Sequence, residues 1–107
     1  MIGYVLTAAA EADLRDIIRF TRDHWGDAQA RRYTASLERG IAHLAAGRGA
    51  WREMSALAPT LRMGRYVHHY VFCLPRENAP ALIVAIFHER MDVMARLADR
   101  LKEPDST

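Results

Sequence analysis

Positions that can pack against a core recur at two different spacings along this chain, and the change of spacing divides it. Leu14, Ile17, Ile18, Thr21 and Trp25 fall at i, i+3, i+4, i+7 and i+11, which is one stripe of a helix. Arg15, Arg19, Arg22 and Asp23 lie mostly off that stripe. The spacing predicts a helix from about Ala8 to His24, with Thr7 accepting a free backbone N–H at its start. Gly26-Asp27 interrupts the pattern: Gly26 suits a left-handed helix end, and Asp27 suits the cap of a second helix. Ala30, Tyr33, Leu37, Ile41 and Leu44 form the second stripe, and Gly47 is its stop after about Ala46. So short a connection predicts an antiparallel helical hairpin.

On either side of the hairpin the period is two. Ile2–Leu6 reads as a short strand, and strands return at about Leu61–Gly64, Tyr66–Leu74 and Ala81–Glu89. The proline-bracketed stretch Pro75–Pro80 is the turn between the last two. In the last strand both faces are apolar: Leu82, Val84 and Ile86 on one, Ile83, Ala85 and Phe87 on the other. Such a strand is covered on both sides. The hairpin supplies one cover, and a partner chain is a candidate for the other. Gly47–Pro59 is irregular, with Trp51 and Met54 expected to tuck under the fold. Met94, Leu97, Ala98 and Leu101 give a last helix within 91–101. Asp92 stands at its start and Arg96, Arg100 and Lys102 toward its end, the charge order a helix dipole favours. Residues 103–107 read as a frayed tail. The order β-α-α-β-β-β-α predicts an α+β fold: one domain over 1–107, with an antiparallel sheet of three to four strands, the helical hairpin on one face and a C-terminal helix.

Composition narrows the class. A chain of 107 residues, half of them apolar, forms one core without staples. Cys73 is the only cysteine, which excludes a disulfide framework, and its apolar surroundings predict a buried, inert thiol. Met1 is followed at once by strand-like residues rather than a leader, and no apolar run reaches the length of a membrane span. A cytoplasmic protein is the expectation. A formal charge of +2 does not by itself argue for nucleic-acid binding. Lys102 is the only lysine, so nearly all positive charge is arginine, the residue of two-pronged contacts with carboxylate and phosphate. A GC-rich genome also produces abundant arginine and alanine, and that reading carries more weight.

Four stretches together resemble a known family. They are Tyr4–Leu14; Trp25-Gly26-Asp27-Ala28-Gln29-Ala30 with Tyr33 and Leu37; Leu61-Arg62 through Gly64-Arg65-Tyr66 to Tyr70; and His88-Glu89-Arg90-Met91-Asp92 with Leu97. In this order, over nearly the whole chain, they resemble the ParE toxins of the RelE/ParE superfamily of bacterial toxin–antitoxin pairs. The resemblance implies a protein that inhibits DNA gyrase without being an enzyme and that is neutralised by a ParD-type antitoxin laid across it. No cofactor, metal, membrane partner or sequence-specific DNA binding is expected. Arg62, Arg65, Tyr66, Tyr70, Arg90 and Arg96 are the candidate antitoxin-binding residues. There are departures. Ala8 stands where proline is common, the segment before Gly64 is short, and His68-His69 replaces an apolar pair.

The superfamily also has an RNA-cleaving branch. Cutting RNA at a 2′-hydroxyl needs a base, an acid for the leaving oxygen and a cation for the developing charge. Arg65, His88 and Arg90 fall at one end of the predicted sheet and could share those roles. The set is incomplete. No tyrosine follows Tyr70, no lysine lies on the strands, and alternation aims Glu89 away from His88. The competing reading has His88 capping the strand end and Arg90 pairing with Asp92 or Glu89, and it is preferred. A third reading is a degenerate toxin that retains only antitoxin binding. His68 and His69, adjacent in a strand, are expected on opposite faces and so not at one metal ion, and His88–Asp92 lacks the second histidine of a zinc-protease motif. Trp25 and Tyr33 flank the hairpin tip, as core or partner-facing anchors rather than base-stacking groups. The second helix has no polar base-reading face of the helix-turn-helix kind.

Overall fold

A computed structural model describes residues 3–102. Strand β1 (Tyr4–Leu6) leads into helix α1 (Ala8–Trp25), which turns into α2 (Asp27–Ala45). Strands β2 (Arg52–Glu53), β3 (Arg62–Tyr66), β4 (His69–Leu74) and β5 (Ala81–His88) follow, and α3 (Val93–Lys102) ends the described chain. Ile2 and the expected frayed tail lie outside the described residues. The class is α+β, as the alternation of spacings implies.

The local punctuation explains the helices. Thr7 Oγ1 accepts the Ala10 N–H at 3.0 Å and starts α1. Gly26, at φ +90°, supplies the turn between the helices, a conformation that glycine adopts without strain. Asp27 does not cap α2, as expected from sequence; it is the first helical residue and makes no side-chain cap bond. Its carboxylate in the first turn still suits the positive end of the helix.

The sheet differs from expectation in two ways. It has five strands in the order β1-β5-β4-β3-β2, and it is mixed. The first strand pairs parallel to the last, Tyr4 with Ala81 and Leu6 with Ile83. The helical hairpin carries the chain out and back, so β1 can lie beside β5 only by long-range pairing, which no local period encodes. The two-residue β2 is too short to have a period at all. The β3–β4 turn also falls later than predicted, at Val67-His68, with Val67 at φ +57°. A β-branched residue there is strained.

Two apolar layers sandwich the sheet. One joins Leu37, Ile41 and Leu44 of α2 and Ala10 of α1 to Val71, Cys73, Ile83 and Ile86. The other joins Leu97 of α3 and Leu61 to Phe72, Leu82, Val84, Ala85 and Phe87, with Met54, Leu57 and Ala58 alongside. Residues 81–87 are buried throughout. The second cover is therefore α3 and the segment after β2, not a partner chain. The alternation predicted for β5 also breaks. Phe72 pairs with Ala85 but Cys73 pairs with Ile83, so Val84 is an extra residue in a bulge. The bulge shifts parity: Val84 and Ala85 both face the α3 layer, and Ile86 joins Ile83 on the hairpin side.

One helical glycine has a packing reason. A Cβ on Gly40 would lie 2.4 Å from Tyr66 Cδ1, and one on Gly64 would lie 2.6 Å from the Tyr66 hydroxyl. The tyrosine ring thus lies against two glycines, fastening β3 to α2.

Candidate functional site

The pairing of β1 with β5 stops at Ile83, and the next stretch of that β5 edge is capped by side chains. Asp13 Oδ2 accepts the Ile86 N–H at 3.0 Å. Arg100 Nη1 donates to the Val84 carbonyl at 2.9 Å and to Asp13 Oδ2 at 2.9 Å, while Nη2 reaches Asp13 Oδ1 at 3.1 Å. The guanidinium also lies 5.0 Å from the Phe87 ring centroid. This two-pronged pair, poorly exposed on both sides, ties α1, the β5 bulge and α3 together. Its members are 87 positions apart in the chain.

Beyond the clamp, the ends of β3, β4 and β5 gather the polar groups. Tyr66 pairs with His69 and His69 with His88, so Arg65, His88 and Arg90 do fall at one end of the sheet. Glu89 is the hub. Arg65 Nη2 donates to its Oε1 at 2.5 Å and His68 Nδ1 to its Oε2 at 2.8 Å. Its own N–H donates to the His68 carbonyl at 2.8 Å. The His68 hydrogen bond, with help from Arg65, holds the Glu89 carboxyl below the usual carboxylate range. Glu89 thus pairs with Arg65 and His68 rather than Arg90. Asp92 is not the partner of Arg90 either; its carboxylate accepts the Ala95 N–H near the start of α3. His88 does cap the strand end: its Nδ1 accepts the Arg90 backbone N–H at 3.0 Å.

The turn also overturns the expectation for the two adjacent histidines. His68 stands in the exposed turn and His69 is buried on β4, yet both rings approach His88, with centroids at 6.3 and 5.1 Å. The Tyr33 hydroxyl hydrogen-bonds His69 Nδ1 and fixes that ring to α2. Burial, reinforced by the neighbouring imidazoles, lowers the His69 pKa to about 4, so the ring is neutral at physiological pH. Among the described residues, no group of three or more His, Cys, Asp or Glu side chains is placed to hold a metal ion.

These strand ends form the floor of an open groove of about 760 Å³. The second half of α1 is its wall, with Ile17, Phe20, Thr21 and Trp25 facing Val67, Met91 and the histidines. Phe20 is 59% exposed and Trp25 is 71% exposed. Trp25 therefore continues the stripe of α1 without entering the core. The Phe20 ring stacks on His24 at 4.0 Å, so even this wall is braced within the helix.

The other candidates divide between the outside and the inside. Arg65, Arg90 and Arg96 are exposed, and Arg65 lies 5.8 Å from the half-buried Tyr70 ring. Arg62 is turned inward. Its Nη1 donates to the Leu44 and Ala45 carbonyls at 3.0 and 3.2 Å, and its guanidinium lies 4.6 Å from the Trp51 ring centroid. It thus closes the C-terminal end of α2, where a cation is favoured. Tyr66 is held against the two glycines, and Cys73 is buried, with its thiol pushed up to about 11 by burial. Sequence reasoning missed Asp13, Arg100 and Phe20. An aspartate on the inner side of an otherwise apolar stripe was the one available signal for the clamp.

The profile of a family described as "ParE toxin of type II toxin-antitoxin system, parDE" matches residues 4–93. "Toxin ParE" of Escherichia coli is 69% identical over 102 residues, covering 95% of this chain and 99% of that one. "Toxin ParE1" of Mycobacterium tuberculosis is 32% identical over 90 residues, 84% of this chain and 92% of the relative. The fold and these matches define a toxin of a type II toxin–antitoxin system. Within that class, the chain belongs to the ParE family. Membership of such a system implies an antitoxin partner. Among the described residues, no helix is long and apolar enough to cross a membrane.

Proposed function

We propose that this ParE toxin works in the cytoplasm by gripping DNA gyrase, as a binding protein rather than an enzyme, and that a ParD-type antitoxin neutralises it. The observation that carries the binding reading is the engagement of Glu89, His69 and one ring nitrogen of His88, which narrows the acid–base groups left for RNA cleavage at the sheet end. Glu89 is bonded on both oxygens, His88 Nδ1 takes a backbone N–H, and His69 is bonded to Tyr33 and holds its proton only well below neutral pH. A general base must be free to reach its proton. Gyrase as the target rests on the family resemblance.

Arg65, Arg90 and Arg96 are exposed, and with the half-buried Tyr70 beside Arg65 they are the groups on which an antitoxin carboxylate can dock. Arg62 and Tyr66 serve these groups from behind by holding β3 to α2. The assembly of Arg65, His88 and Arg90 at one sheet end favours ribosome-dependent RNA cleavage as the second reading.

One paired assay separates them. The purified toxin is added to a gyrase supercoiling reaction and to a translation reaction carrying a reporter RNA. Trapped gyrase cleavage complexes with intact RNA are expected. RNA cut in the ribosome and spared by His88→Ala would overturn the proposal in favour of the nuclease. Inactivity in both, with tight antitoxin binding, would leave a degenerate toxin.

A further inference from the structure

The two helices of the hairpin are equally rich in arginine, yet their outer faces differ in what stands between the arginines. Helix α1 carries Arg15, Arg19 and Arg22, and α2 carries Arg31, Arg32 and Arg39. On α1, acids are interleaved: Asp16 lies 4.0 Å from Arg19 and Asp23 lies 3.6 Å from Arg22. On α2, burial of Ala30, Leu37, Ile41 and Leu44 fixes the inner side. The helical period then places Arg32, Ala35, Arg39, Ala42, His43 and Ala46 on the opposite side, and all six are exposed. No acid stands among them. Glu38 lies off this face toward Tyr4, where its charge adds to burial in raising the phenol. Arg48, just past the helix, is exposed too, and its N–H donates to the His43 carbonyl at 2.8 Å, so it extends the same face. Among the described residues, no carboxylate pairs with Arg32, Arg39 or Arg48. Arg32 Nη2 donates to the neutral Gln29 amide at 2.7 Å, which leaves its charge uncompensated. A composition rich in arginine and alanine explains their number, not the exclusion of acids from one helix face.

We propose that the outer face of α2 is a sequence-independent contact for the phosphate backbone of duplex DNA, and that the toxin uses it to hold the DNA that gyrase carries. The use on gyrase rests on the gyrase reading; the DNA contact itself does not. Arg32 and Arg39 are two turns apart, about 10 Å along the helix. Over about that length duplex DNA carries about six charges, so any register offers each guanidinium a phosphate. The alanines between them keep the helix surface low and let the backbone approach. Such contacts position a protein on DNA without reading bases. A single strand would call for stacking rings, and the exposed Phe20 and Trp25 stand on the other helix, at the groove. An anionic membrane would call for an apolar face to insert, and the apolar stripe of α2 is already spent in the core.

The test titrates purified toxin, free of antitoxin, against a labelled random-sequence duplex. Three phosphate contacts predict a log–log salt slope of about −2.7, or about a fortyfold loss of affinity between about 50 and 200 mM salt. Arg39→Gln should flatten that slope by about one. Arg32→Gln, Arg39→Gln and Arg48→Gln together should abolish binding. The matched α1 variant, Arg15→Gln with Arg19→Gln and Arg22→Gln, removes the same charge and should stay within about threefold of the parent, because salt screens charges that make no contact. In a gyrase reaction the triple α2 variant should need about tenfold more toxin to trap as many cleavage complexes. No duplex binding at low salt, an equal loss in the α1 variant, or tighter binding to single-stranded RNA or anionic vesicles would overturn the proposal. So would an α2 variant that loses DNA but traps gyrase as well as the parent does. Weakened binding of that variant to gyrase without DNA would give the face to an acidic protein surface and overturn it too. Duplex binding lost in the α2 variant, while the parent leaves gyrase untouched, would remove the gyrase reading and keep the DNA contact. Unchanged circular dichroism in each variant separates lost binding from lost fold.

Discussion

The two halves of α1 carry one uninterrupted stripe, yet they do opposite things. The first half buries Ala10, packs Leu14 and Ile17 on the core and sends Asp13 to the β5 edge. The second half lies over the strand ends and holds Trp25, on the stripe, and Phe20, beside it, in solvent above a groove. The stripe is the same because helix geometry is the same. The outcome differs because the sheet beneath ends. Helical amphipathicity states which side of a helix is apolar, not how far its cover extends.

The sharpest way to break this comparison is at the clamp. Asp13→Ala strips the partner from Arg100 and the acceptor from the Ile86 N–H, and should cost about 2–4 kcal/mol in chemical denaturation, as for a poorly solvated pair losing one member. A cost below that of a surface substitution would show that the first half of α1 is not fastened as described. Gly40→Ala comes next, because the new Cβ would collide with the Tyr66 ring close to its backbone attachment. A loss of about 1–3 kcal/mol is expected from overpacking, although alanine is the better helix former. A gain in stability would mean that the ring moves freely and does not tie β3 to α2.

Acid titration probes the floor between the halves. The folded-state pKa of His69 lies near 4, below the ordinary histidine value, so between these two the unfolded chain binds more protons. This contribution to stability is therefore present above about pH 6.5 and lost as pH falls toward 4; discounted for partial solvation, it amounts to about 1–2 kcal/mol. Denaturation midpoints across that window should fall in the parent and fall less in His69→Gln. The smallest expected effect belongs to the outer half of α1. Trp25→Ala should leave stability within about 0.5 kcal/mol of the parent, because the ring is mostly solvated. A loss of several times that size would place Trp25 in the core and erase the comparison.

The helices, the Thr7 cap, the Pro75–Pro80 turn and the buried Cys73 were legible because each depends on neighbours within a turn or on a short run of one polarity. The bulge at Val84 was not, since it changes pairing with β4 and leaves the composition of β5 untouched. The strand-end residues lie together and His88 caps the strand end, both as expected, but the partners of Glu89 and Asp92 were not legible. Placing the turn at Val67-His68 instead of after Gly64 swings His68 toward Glu89 and brings three imidazoles into one cluster. A one- or two-residue change in turn position alters every partner downstream, because strand side chains alternate with period two.

By itself the sequence determined the fold class, the two helical stripes, the doubly covered last strand and the likeness to ParE toxins. All of these are carried by local periodicity or by ordered motifs. Only the tertiary structure decided that β1 runs parallel to β5, that Asp13 and Arg100 cap the edge which β1 leaves uncovered, and that Arg62 is turned inward while Trp25 faces solvent. Those facts depend on where one element ends against another, and contacts between residues distant in the chain leave no period to read.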